Sequence, residues 1–308
     1  MIDHLTAIFG QQVEDASEGT AKKHHSIIKC RIVLTKNVET FDLFAQPPNS
    51  GDLGMIDPKA ASIDLTIQGR DFTLTQSPGL LQSNREGGTT GAAIWATSVR
   101  FAQWISSPDN VLFKHGLLGT SSSVLELGSG ISGLVGCVLA PQVQHVVLTD
   151  QQYTLKLLKD NVNANVTANT SKGKGRTKRT NQDHSGAKIA VESLDWETDA
   201  IAPFLANNGL TTGADVVMAC DCIYNYALIE PFTQACADVC RVRQRSSELD
   251  ESTPTVCVVA QHLRQPDVFE EWAEIWMRKF HTWRIPTEML GEALGEGSGF
   301  AVHVGVLK

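Results

Sequence analysis

The chain has 308 residues, of which 42% are hydrophobic and 19% are charged. These proportions are typical of a globular protein with a sizeable core, and they exclude a disordered or fibrous chain. Lysine and arginine total 26 against 34 acidic residues, so the net charge of −8 excludes a surface that binds polyanions throughout. No apolar run approaches the roughly 18 residues of a membrane span, and the acidic N-terminus is not expected to be a signal peptide.

Seven cysteines are scattered through apolar segments. An odd number argues against a disulfide framework and favours a reducing compartment, the cytoplasm, with the nucleus as the alternative. Two close pairs could hold a metal, but neither has zinc-knuckle spacing and no histidine follows at the usual distance. We therefore predict buried thiols and no metal site for Cys30, Cys137, Cys220, Cys222, Cys236, Cys240 and Cys257.

Residues 1–88 are rich in runs typical of β-strands. Apolar and polar side chains alternate along 61–68, the period of a half-buried strand. Gly69 and Arg70 then form a tight connection to a second run at 71–76, and an earlier run covers 26–34. We predict a small β-rich N-terminal extension over 1–88.

Residues 89–308 alternate helices with short apolar strands, beginning with a predicted helix over 92–105. Nearly continuous apolar runs are typical of parallel strands that helices cover on both faces. This alternation predicts a doubly wound α/β sheet in one domain. The predicted strands are 123–127, 145–149, 188–193, 214–220, 255–260 and 300–307.

A basic insert at 171–186 interrupts this alternation. Five basic residues lie between Lys172 and Arg179, with no apolar residue among them. This composition is typical of a solvated loop. The alternative interpretation is an electrostatic tether to substrate particles that contain RNA, such as ribosomes.

The strongest local motif is at 124–133, where an apolar strand runs into glycines before a predicted helix. Gly128 and Gly130 let the backbone turn sharply and approach a ligand closely, which predicts a nucleotide-type cofactor. Twenty residues after Gly130 the next strand ends in Asp150, where a carboxylate can accept both hydrogen bonds of a ribose diol. Asp150 could instead cap the following helix.

The glycines and Asp150 suit NAD and S-adenosylmethionine equally, and Glu126 decides between them. An acid at the end of the strand before the glycines would repel a pyrophosphate but attract an α-amino group. Glu126 therefore favours the methionine-bearing cofactor.

Six motifs in order resemble methyltransferase family 16, the seven-β-strand protein lysine methyltransferases, over roughly 71–308. The N-terminal β region and the insert resemble the fungal ribosomal branch of that family. This sequence departs from the family pattern at Gly-Ile-Ser-Gly (130–133) and at Cys220. At both positions it is the backbone that lines the site. The motifs are Trp95 after Gly-Thr-Thr-Gly, Glu126-Leu-Gly-Ser-Gly130, Thr149-Asp150, Asp160-Asn161-x-Asn163-x-Asn165, Leu194-Asp195-Trp196 and Asp221-Cys-Ile-Tyr224.

The resemblance implies a Rossmann-like seven-β-strand class I methyltransferase fold, S-adenosylmethionine as the cofactor, and a role for each matching residue. Asp221 and Tyr224 form the Asp-x-x-Tyr motif and are the candidate catalytic residues. The candidate cofactor-binding residues are Trp95 and Glu126 at the methionine end, Gly128, Ser129 and Gly130 along the backbone, Asp150 at the ribose, Trp196 at the adenine, and Met218 and Cys220 closing the pocket.

Methyl transfer to lysine requires alignment and a neutral amine, and it needs neither a metal nor a covalent nucleophile. A partly dry aromatic channel disfavours the ammonium form. We expect Asp221 to orient the amine but not to act as its general base, because a nearby carboxylate stabilises the ammonium. Asp221 could instead cap a helix, and His262 and Arg264 could contact the substrate.

These inferences predict a monomeric S-adenosylmethionine-dependent protein-lysine N-methyltransferase acting on a large-subunit (60S) ribosomal protein, with weak RNA contact through the insert and no membrane contact. The first alternative is an enzyme of the same family acting on an elongation factor or chaperone. A nucleic acid or small-molecule methyltransferase is disfavoured, since Asp221-Cys-Ile-Tyr224 replaces the Asn/Asp-Pro-Pro-Tyr of base-methylating enzymes. A nicotinamide oxidoreductase and a non-catalytic binding module complete the alternatives, although the latter would be expected to lose Asp150 or Asp221.

Overall fold

A computed structural model describes residues 1–13, 38–45, 54–83, 88–167, 188–247 and 253–308. The predicted strand at 26–34 and the basic insert lie outside these ranges. The strands are β1 (Ser62–Ile67), β2 (Arg70–Thr75), β3 (Ser123–Leu127), β4 (His145–Asp150), β5 (Lys188–Ser193), β6 (Val216–Cys220), β7 (Val256–His262), β8 (Phe280–Arg284) and β9 (Phe300–Leu307).

Helices alternate with these strands along the chain. None of the helices in the described ranges combines the length and apolarity that crossing a bilayer requires. The helices are α1 (Ile2–Phe9), α2 (Val38–Phe44), α3 (Pro78–Leu81), α4 (Ala96–Ile105), α5 (Val111–Lys114), α6 (Leu134–Leu139), α7 (Leu155–Thr167), α8 (Ile201–Asn207), α9 (Tyr226–Ser247), α10 (Pro266–Lys279) and α11 (Gly291–Leu294).

Within the described ranges, the main sheet has seven strands in the order β5-β4-β3-β6-β7-β9-β8. Strands β3 to β7 are parallel, and β9 runs antiparallel to both of its neighbours, β7 and β8. The order reverses between β3 and β6, which is where open α/β sheets bind ligands at the carboxyl ends of their strands. This arrangement confirms the predicted Rossmann-like seven-β-strand class I methyltransferase fold.

The central strands are buried on both faces. Every residue of β6 and β7 is buried, and so is β3 after its first residue. One face packs against α4, α6 and α7, and the other packs against α8, α9 and α10. The continuous apolar runs in the sequence therefore correspond to strands enclosed by helices, as predicted.

The helix predicted over 92–105 begins later, at Ala96. Trp95 is its extended N-cap residue, with φ −98° and ψ 142°. The reason is a short antiparallel contact outside the main sheet, in which Met55 pairs with Trp95 and the Ala96 amide donates to the Gly54 carbonyl at 2.7 Å. This pairing holds the indole of Trp95 at the edge of the site instead of on a helix face.

Strand β8 was not predicted. Its five residues, Phe-His-Thr-Trp-Arg, directly follow α10 and do not alternate regularly between polar and apolar side chains. Among the described strands it lies at the edge of the sheet and pairs with β9, and its fully buried Trp283 donates its indole N–H to the Thr6 hydroxyl of α1. The contact with α1, distant in sequence, determines where β8 lies.

The hairpin of β1 and β2 packs against α7 through two asparagines. Asn161 and Asn165, one helical turn apart, exchange hydrogen bonds with the backbone of Thr75 and Thr73, at 2.8–3.0 Å. Alternate residues of a strand present their backbone groups on the same edge, so these amides substitute for a neighbouring strand. Asn161 also donates to the Ile131 carbonyl at 2.7 Å, which connects the hairpin to the glycine loop.

Helix α2 is joined to the main sheet by a buried charge network. Glu39 Oε1 lies 2.9 Å from Nε2 of His303 and 3.2 Å from Nη1 of Arg284. Burial opposes ionisation of Glu39, but His303 and Arg284 outweigh it and hold the pKa of its carboxyl below the ordinary value of 4.5. Ionised Glu39 therefore stabilises the fold above pH 4.5, and this contribution is lost as the pH falls through the lowered pKa.

We expect Glu39→Gln to lower the free energy of unfolding by about 2 kcal/mol at neutral pH, because Arg284 and His303 lose their anionic partner. Urea unfolding at neutral pH and below pH 4.5 measures this, and the difference from wild type should shrink in acid. Glu296→Gln, at an exposed position, serves as the control. A difference that is the same at both pH values would show that the charge of Glu39 does not stabilise the fold.

Candidate functional site

The candidate site lies at the carboxyl ends of the parallel strands, where the strand order reverses. Glu126 is on β3, Asp150 ends β4, Asp221 directly follows β6, and His262 ends β7. Because parallel strands end at the same edge of a sheet, the fold places these four residues around one location. The sequence separates them by as many as 136 residues, so only the topology gathers them.

The glycine loop after β3 has no room for side chains. Gly128 has φ +68°, and a Cβ there would lie 2.6 Å from the Cys222 sulfur and 3.3 Å from the Trp196 ring. Gly130 has φ +59°, and its Cβ would lie 3.3 Å from the Gly91 carbonyl oxygen. Both the positive φ and the close neighbours require glycine. Gly128 and Gly130 are partly exposed, so a ligand can approach the backbone at these two positions closely.

Asp150 is held by the backbone of the glycine loop. Its Oδ2 accepts from the Gly130 amide at 2.8 Å, and its Oδ1 accepts from the Gln151 amide at 2.7 Å. Burial raises the pKa of this carboxyl, against the lowering effect of the two amides and the Thr154 hydroxyl. Helix α7 begins five residues later, so Asp150 is not its N-cap. Each oxygen retains a lone pair that could accept from a ribose hydroxyl.

Glu126 is 2% exposed and lies beneath the loop. Burial raises the pKa of its carboxyl to about 8, the Ser129 hydroxyl lowers it and the negative charge of Asp150 raises it further. Among the described residues, neither Oε2 of Glu126 nor the Ser129 hydroxyl makes a hydrogen bond of good geometry. Glu126 is therefore largely protonated at neutral pH until a cation or strong donor binds beside it.

We expect binding of S-adenosylhomocysteine, which carries the same α-amino group as the cofactor, to release about one proton at pH 7. The α-ammonium would favour the ionised form of Glu126, so its pKa would fall below neutrality and the bound proton would leave. Calorimetry in buffers of different ionisation enthalpy measures the number released. Equal proton release by wild type and Glu126→Gln would contradict this assignment.

Trp95, Thr90 and Tyr224 form a wall over the glycine loop. The Trp95 indole N–H donates to the Thr90 carbonyl at 2.9 Å, and the Thr90 hydroxyl is 3.0 Å from the Tyr224 hydroxyl. Tyr224 is 37% exposed. Burial of its hydroxyl nevertheless raises the Tyr224 pKa, although Thr90 lowers it. This wall gives the site an aromatic side that reaches the surface at Tyr224.

Asp221 lies under the wall, with its side chain 3% exposed and its backbone in the left-handed region at φ +61°. Its amide donates to the Ala260 carbonyl at 2.8 Å, and Oδ1 accepts from Nη2 of Arg264 at 2.7 Å. Burial raises the pKa of Asp221, against the charge of Arg264, the Thr97 hydroxyl and His262. Helix α9 begins at Tyr226, so Asp221 is not its N-cap, which removes that alternative.

The remaining predicted cofactor residues occupy two environments. Trp196 lies against Gly128, and its indole N–H is buried without an acceptor among the described residues. Met218 is fully buried in β6, in register with Glu126 of β3. Cys220 is 6% exposed at the end of β6. The predicted roles of Trp196 at the adenine and of Met218 and Cys220 in closing the pocket stay predictions.

The chemistry of these groups fits S-adenosylmethionine. The buried carboxyl of Glu126 has no cationic partner among the described residues and suits an α-amino group. Asp150 offers acceptors for the hydroxyls of a diol. The buried indole N–H of Trp196 has no acceptor among the described residues, so it could donate to a ring nitrogen of the cofactor. Gly128 and Gly130 are themselves partly exposed and carry no side chain that would cover their backbone. No group of three or more potential metal ligands occurs among the described residues.

All six cysteines in the described ranges are free and buried, which confirms the predicted buried thiols there; Cys30 lies outside these ranges. Cys222 contributes to the site, although the sequence predicts only a core thiol at this position. Its sulfur lies 3.3 Å from the Leu127 carbonyl and fills the space behind Gly128. The close approach of β6 to the glycine loop gives this residue its role, and no local motif indicates it.

Arg264, Thr97 and Tyr153 are further site residues that the motifs do not contain. The sequence predicts a possible substrate contact for Arg264 and His262 only because both lie at the ligand-binding end of β7. Tyr153 accepts from the Gly91 amide at 3.1 Å, which holds the Thr90–Ala92 turn against the loop. The pair of Asp221 with Arg264 has one signal in the sequence. Arg264 lies two residues past the end of a parallel strand.

A matching family model and a relative of this chain are both described as lysine methyltransferases. A family model described as lysine methyltransferase matches residues 74–247, from within β2 to the end of α9. "Ribosomal lysine N-methyltransferase 5" of Zygosaccharomyces rouxii is 32% identical over 230 residues, which cover 68% of this chain and 71% of that protein.

Two further matches differ in coverage. A Schizosaccharomyces pombe protein named "diaminohydroxyphosphoribosylamino-pyrimidine deaminase" is 31% identical over 77% of this chain. This chain spans only 49% of that protein, so the activity in the name of that protein is not assigned to this chain. A TehB-like SAM-dependent methyltransferase structure from Corynebacterium glutamicum covers 68% of this chain and 88% of that one, at 15% identity and a TM-score of 0.41.

Proposed function

Because this chain belongs to the S-adenosylmethionine-dependent lysine methyltransferase family, we propose that it methylates a lysine of a large-subunit (60S) ribosomal protein. The site geometry supports the lysine chemistry, above all the buried Asp221 below the aromatic wall of Trp95 and Tyr224. The ribosomal substrate is supported by the name of the Zygosaccharomyces rouxii relative, of which this chain covers 71%.

The cofactor would be held by residues that the fold brings to the switch point. Glu126 would bind the α-amino group, Asp150 the ribose hydroxyls, and Trp196 the adenine, with Trp95 at the methionine side. When bound, S-adenosylmethionine supplies a methyl group whose bond to sulfur breaks, with the electron pair left on sulfur, as the amine nitrogen forms the new bond.

The target lysine would enter between Trp95 and Tyr224, because Tyr224 is exposed while Asp221 behind it is buried. The aromatic rings would pack along the aliphatic part of the lysine and exclude water from the amine. A dry environment disfavours the ammonium form, so it increases the fraction of neutral amine. Asp221 would orient the amine by accepting a hydrogen bond from it.

The experiment is methyl labelling of separated substrates. Purified chain and labelled S-adenosylmethionine are incubated with fungal 60S subunits, 40S subunits and ribosome-free cytosol. We expect one labelled protein in the 60S fraction, and none with Asp221→Asn. Label confined to the cytosol would contradict the ribosomal substrate and favour the elongation-factor or chaperone alternative.

The basic insert at 171–186, which lies outside the described residues, is proposed to contact ribosomal RNA weakly. Its charge would attract phosphate groups without sequence specificity. Deleting the insert should lower methylation of intact 60S subunits at low salt but leave methylation of the isolated target protein unchanged. Equal rates on both substrates with and without the insert would reject the RNA contact.

We also propose that the enzyme is monomeric and acts in the cytoplasm, where free thiols persist.

A further inference from the structure

A second charged side chain lies inside the site beside Asp221. The guanidinium of Arg264 is 2.7 Å from Oδ1 of Asp221, and the two side chains are only 17% and 3% exposed. The same guanidinium lies over the Trp95 ring, 5.3 Å from its centroid. Arg264 thus contacts both the acid of the Asp-x-x-Tyr motif and Trp95 of the aromatic wall.

The position of Asp221 alone would work against methyl transfer to lysine. An opposite charge within about 4–6 Å favours an ionised group and moves its pKa by roughly 1–3 units. An unpaired carboxylate in the channel would therefore hold the incoming lysine as ammonium, which has no lone pair for attack. A site of this kind needs the hydrogen-bond acceptor without its full negative charge.

We propose that Arg264 is a positioning residue that neutralises Asp221, so that the site accepts the target lysine as its neutral amine. This inference rests on the proposed lysine methyltransferase function. The ammonium loses its proton to water, and the lone pair left on the amine nitrogen is the one that attacks the methyl group. Arg264 takes part in neither bond change; it sets the charge of the carboxylate that receives the amine.

The other groups that face Asp221 do not supply this positive charge equally. His262 directs its backbone amide at Oδ1, at 3.5 Å, while its ring stacks on Phe300 at 4.6 Å. Thr97 of α4 is a neutral hydroxyl, and Tyr224 follows Asp221 on the same loop. Cys220 and Cys222 flank Asp221, and Glu126 and Asp150 lie on β3 and β4. Among the described groups, the guanidinium of Arg264 is the one that makes an ion pair with Asp221, so Arg264 provides the countercharge.

A different role for Arg264 would be purely structural, holding Asp221 in its left-handed conformation. Both roles predict that losing Arg264 lowers activity. They differ in what happens to a cation in the channel: an unpaired Asp221 would bind an ammonium more tightly, whereas a displaced Asp221 would not. Affinity for an ammonium and the pH dependence of the rate therefore distinguish the two.

The first test measures binding of n-butylammonium, which has the charged end of a lysine side chain, to the full chain saturated with S-adenosylhomocysteine. By NMR titration at pH 7 we expect Arg264→Gln and Arg264→Met to bind it about tenfold more tightly than wild type. Arg264→Lys should resemble wild type, and adding Asp221→Asn to Arg264→Gln should abolish the gain. Unchanged affinity in both uncharged variants would overturn the proposal.

Arg243→Gln is the matched control. Arg243 pairs with Asp215 at the opposite end of β6, and its side chain is as buried as that of Arg264, at 12% exposed. It should leave n-butylammonium affinity unchanged. Binding of S-adenosylhomocysteine by each variant shows that it is folded. This test needs no protein substrate, so a failure of the ribosomal assignment leaves it decisive.

The second test is the pH profile of kcat on saturating 60S subunits, which reports ionisations in the enzyme–substrate complex. Without the countercharge, the acid limb should move by about one unit to higher pH, and Arg264→Lys should restore it. A loss of rate that is equal at every pH, with no movement of the acid limb, would show that Arg264 only supports the structure.

Discussion

Asp221→Asn should lower kcat for methyl transfer by about 100-fold or more while leaving the affinity for S-adenosylhomocysteine within about threefold. Asparagine has nearly the same shape and tolerates the left-handed backbone at φ +61°, so the fold should persist. The variant loses the charge that balances Arg264 and one acceptor for the amine. Rates under saturating cofactor, together with calorimetry, measure both quantities.

Asp215→Asn is the matched control for Asp221→Asn. Asp215 precedes β6 at its other end, pairs with Arg243 and accepts from the Ser123 amide at 2.7 Å. Its substitution should lower the free energy of unfolding but leave kcat of the folded enzyme unchanged. If Asp221→Asn kept at least half of the wild-type kcat, Asp221 would not act on the amine.

Asp150→Ala should weaken binding of S-adenosylhomocysteine by at least about 100-fold, because two hydrogen bonds to a charged group are each worth about 1.5–3 kcal/mol. The loss has two sources. The ribose hydroxyls would lose their acceptors, and the Gly130 amide would lose the carboxylate that holds the glycine loop at 2.8 Å.

Isothermal calorimetry measures this loss, with Asp160→Ala as the control at an exposed position on α7. The control should bind like wild type. Asp150→Asn separates the two sources, since its carbonyl oxygen can still accept from Gly130 while its amide nitrogen cannot accept from a hydroxyl. Wild-type affinity in Asp150→Ala would place the ribose elsewhere.

The sequence predicts the sheet well because its central strands are enclosed. Strands β3, β4, β6 and β7 are apolar on both faces, so they appear as continuous runs whatever their neighbours are. The glycine loop was equally predictable, since a ligand-binding turn at φ +68° and +59° admits no other residue without strain. These elements depend on local requirements that one segment satisfies alone.

Other elements depend on partners far away in sequence. The late start of α4 follows from pairing of Trp95 with Met55. Strand β8 is positioned by β9 and α1, and neither contact leaves a pattern in its five residues.

In the candidate site, the motifs supplied Asp150 and Asp221, but they contain no arginine. The pair of Asp221 with Arg264 joins residues 43 positions apart across two strand ends. Its significance depends on burial, which the sequence does not indicate.

The proposed activity is methylation of a lysine in a large-subunit (60S) ribosomal protein. The most direct measurement is tandem mass spectrometry of the 60S proteins after incubation with the purified chain and S-adenosylmethionine. We expect methyl groups on the ε-nitrogen of a lysine in one large-subunit protein, and we expect them to be absent when Asp221→Asn replaces wild type. Methylation of another residue type, or none from a wild-type chain that binds S-adenosylhomocysteine, would contradict it.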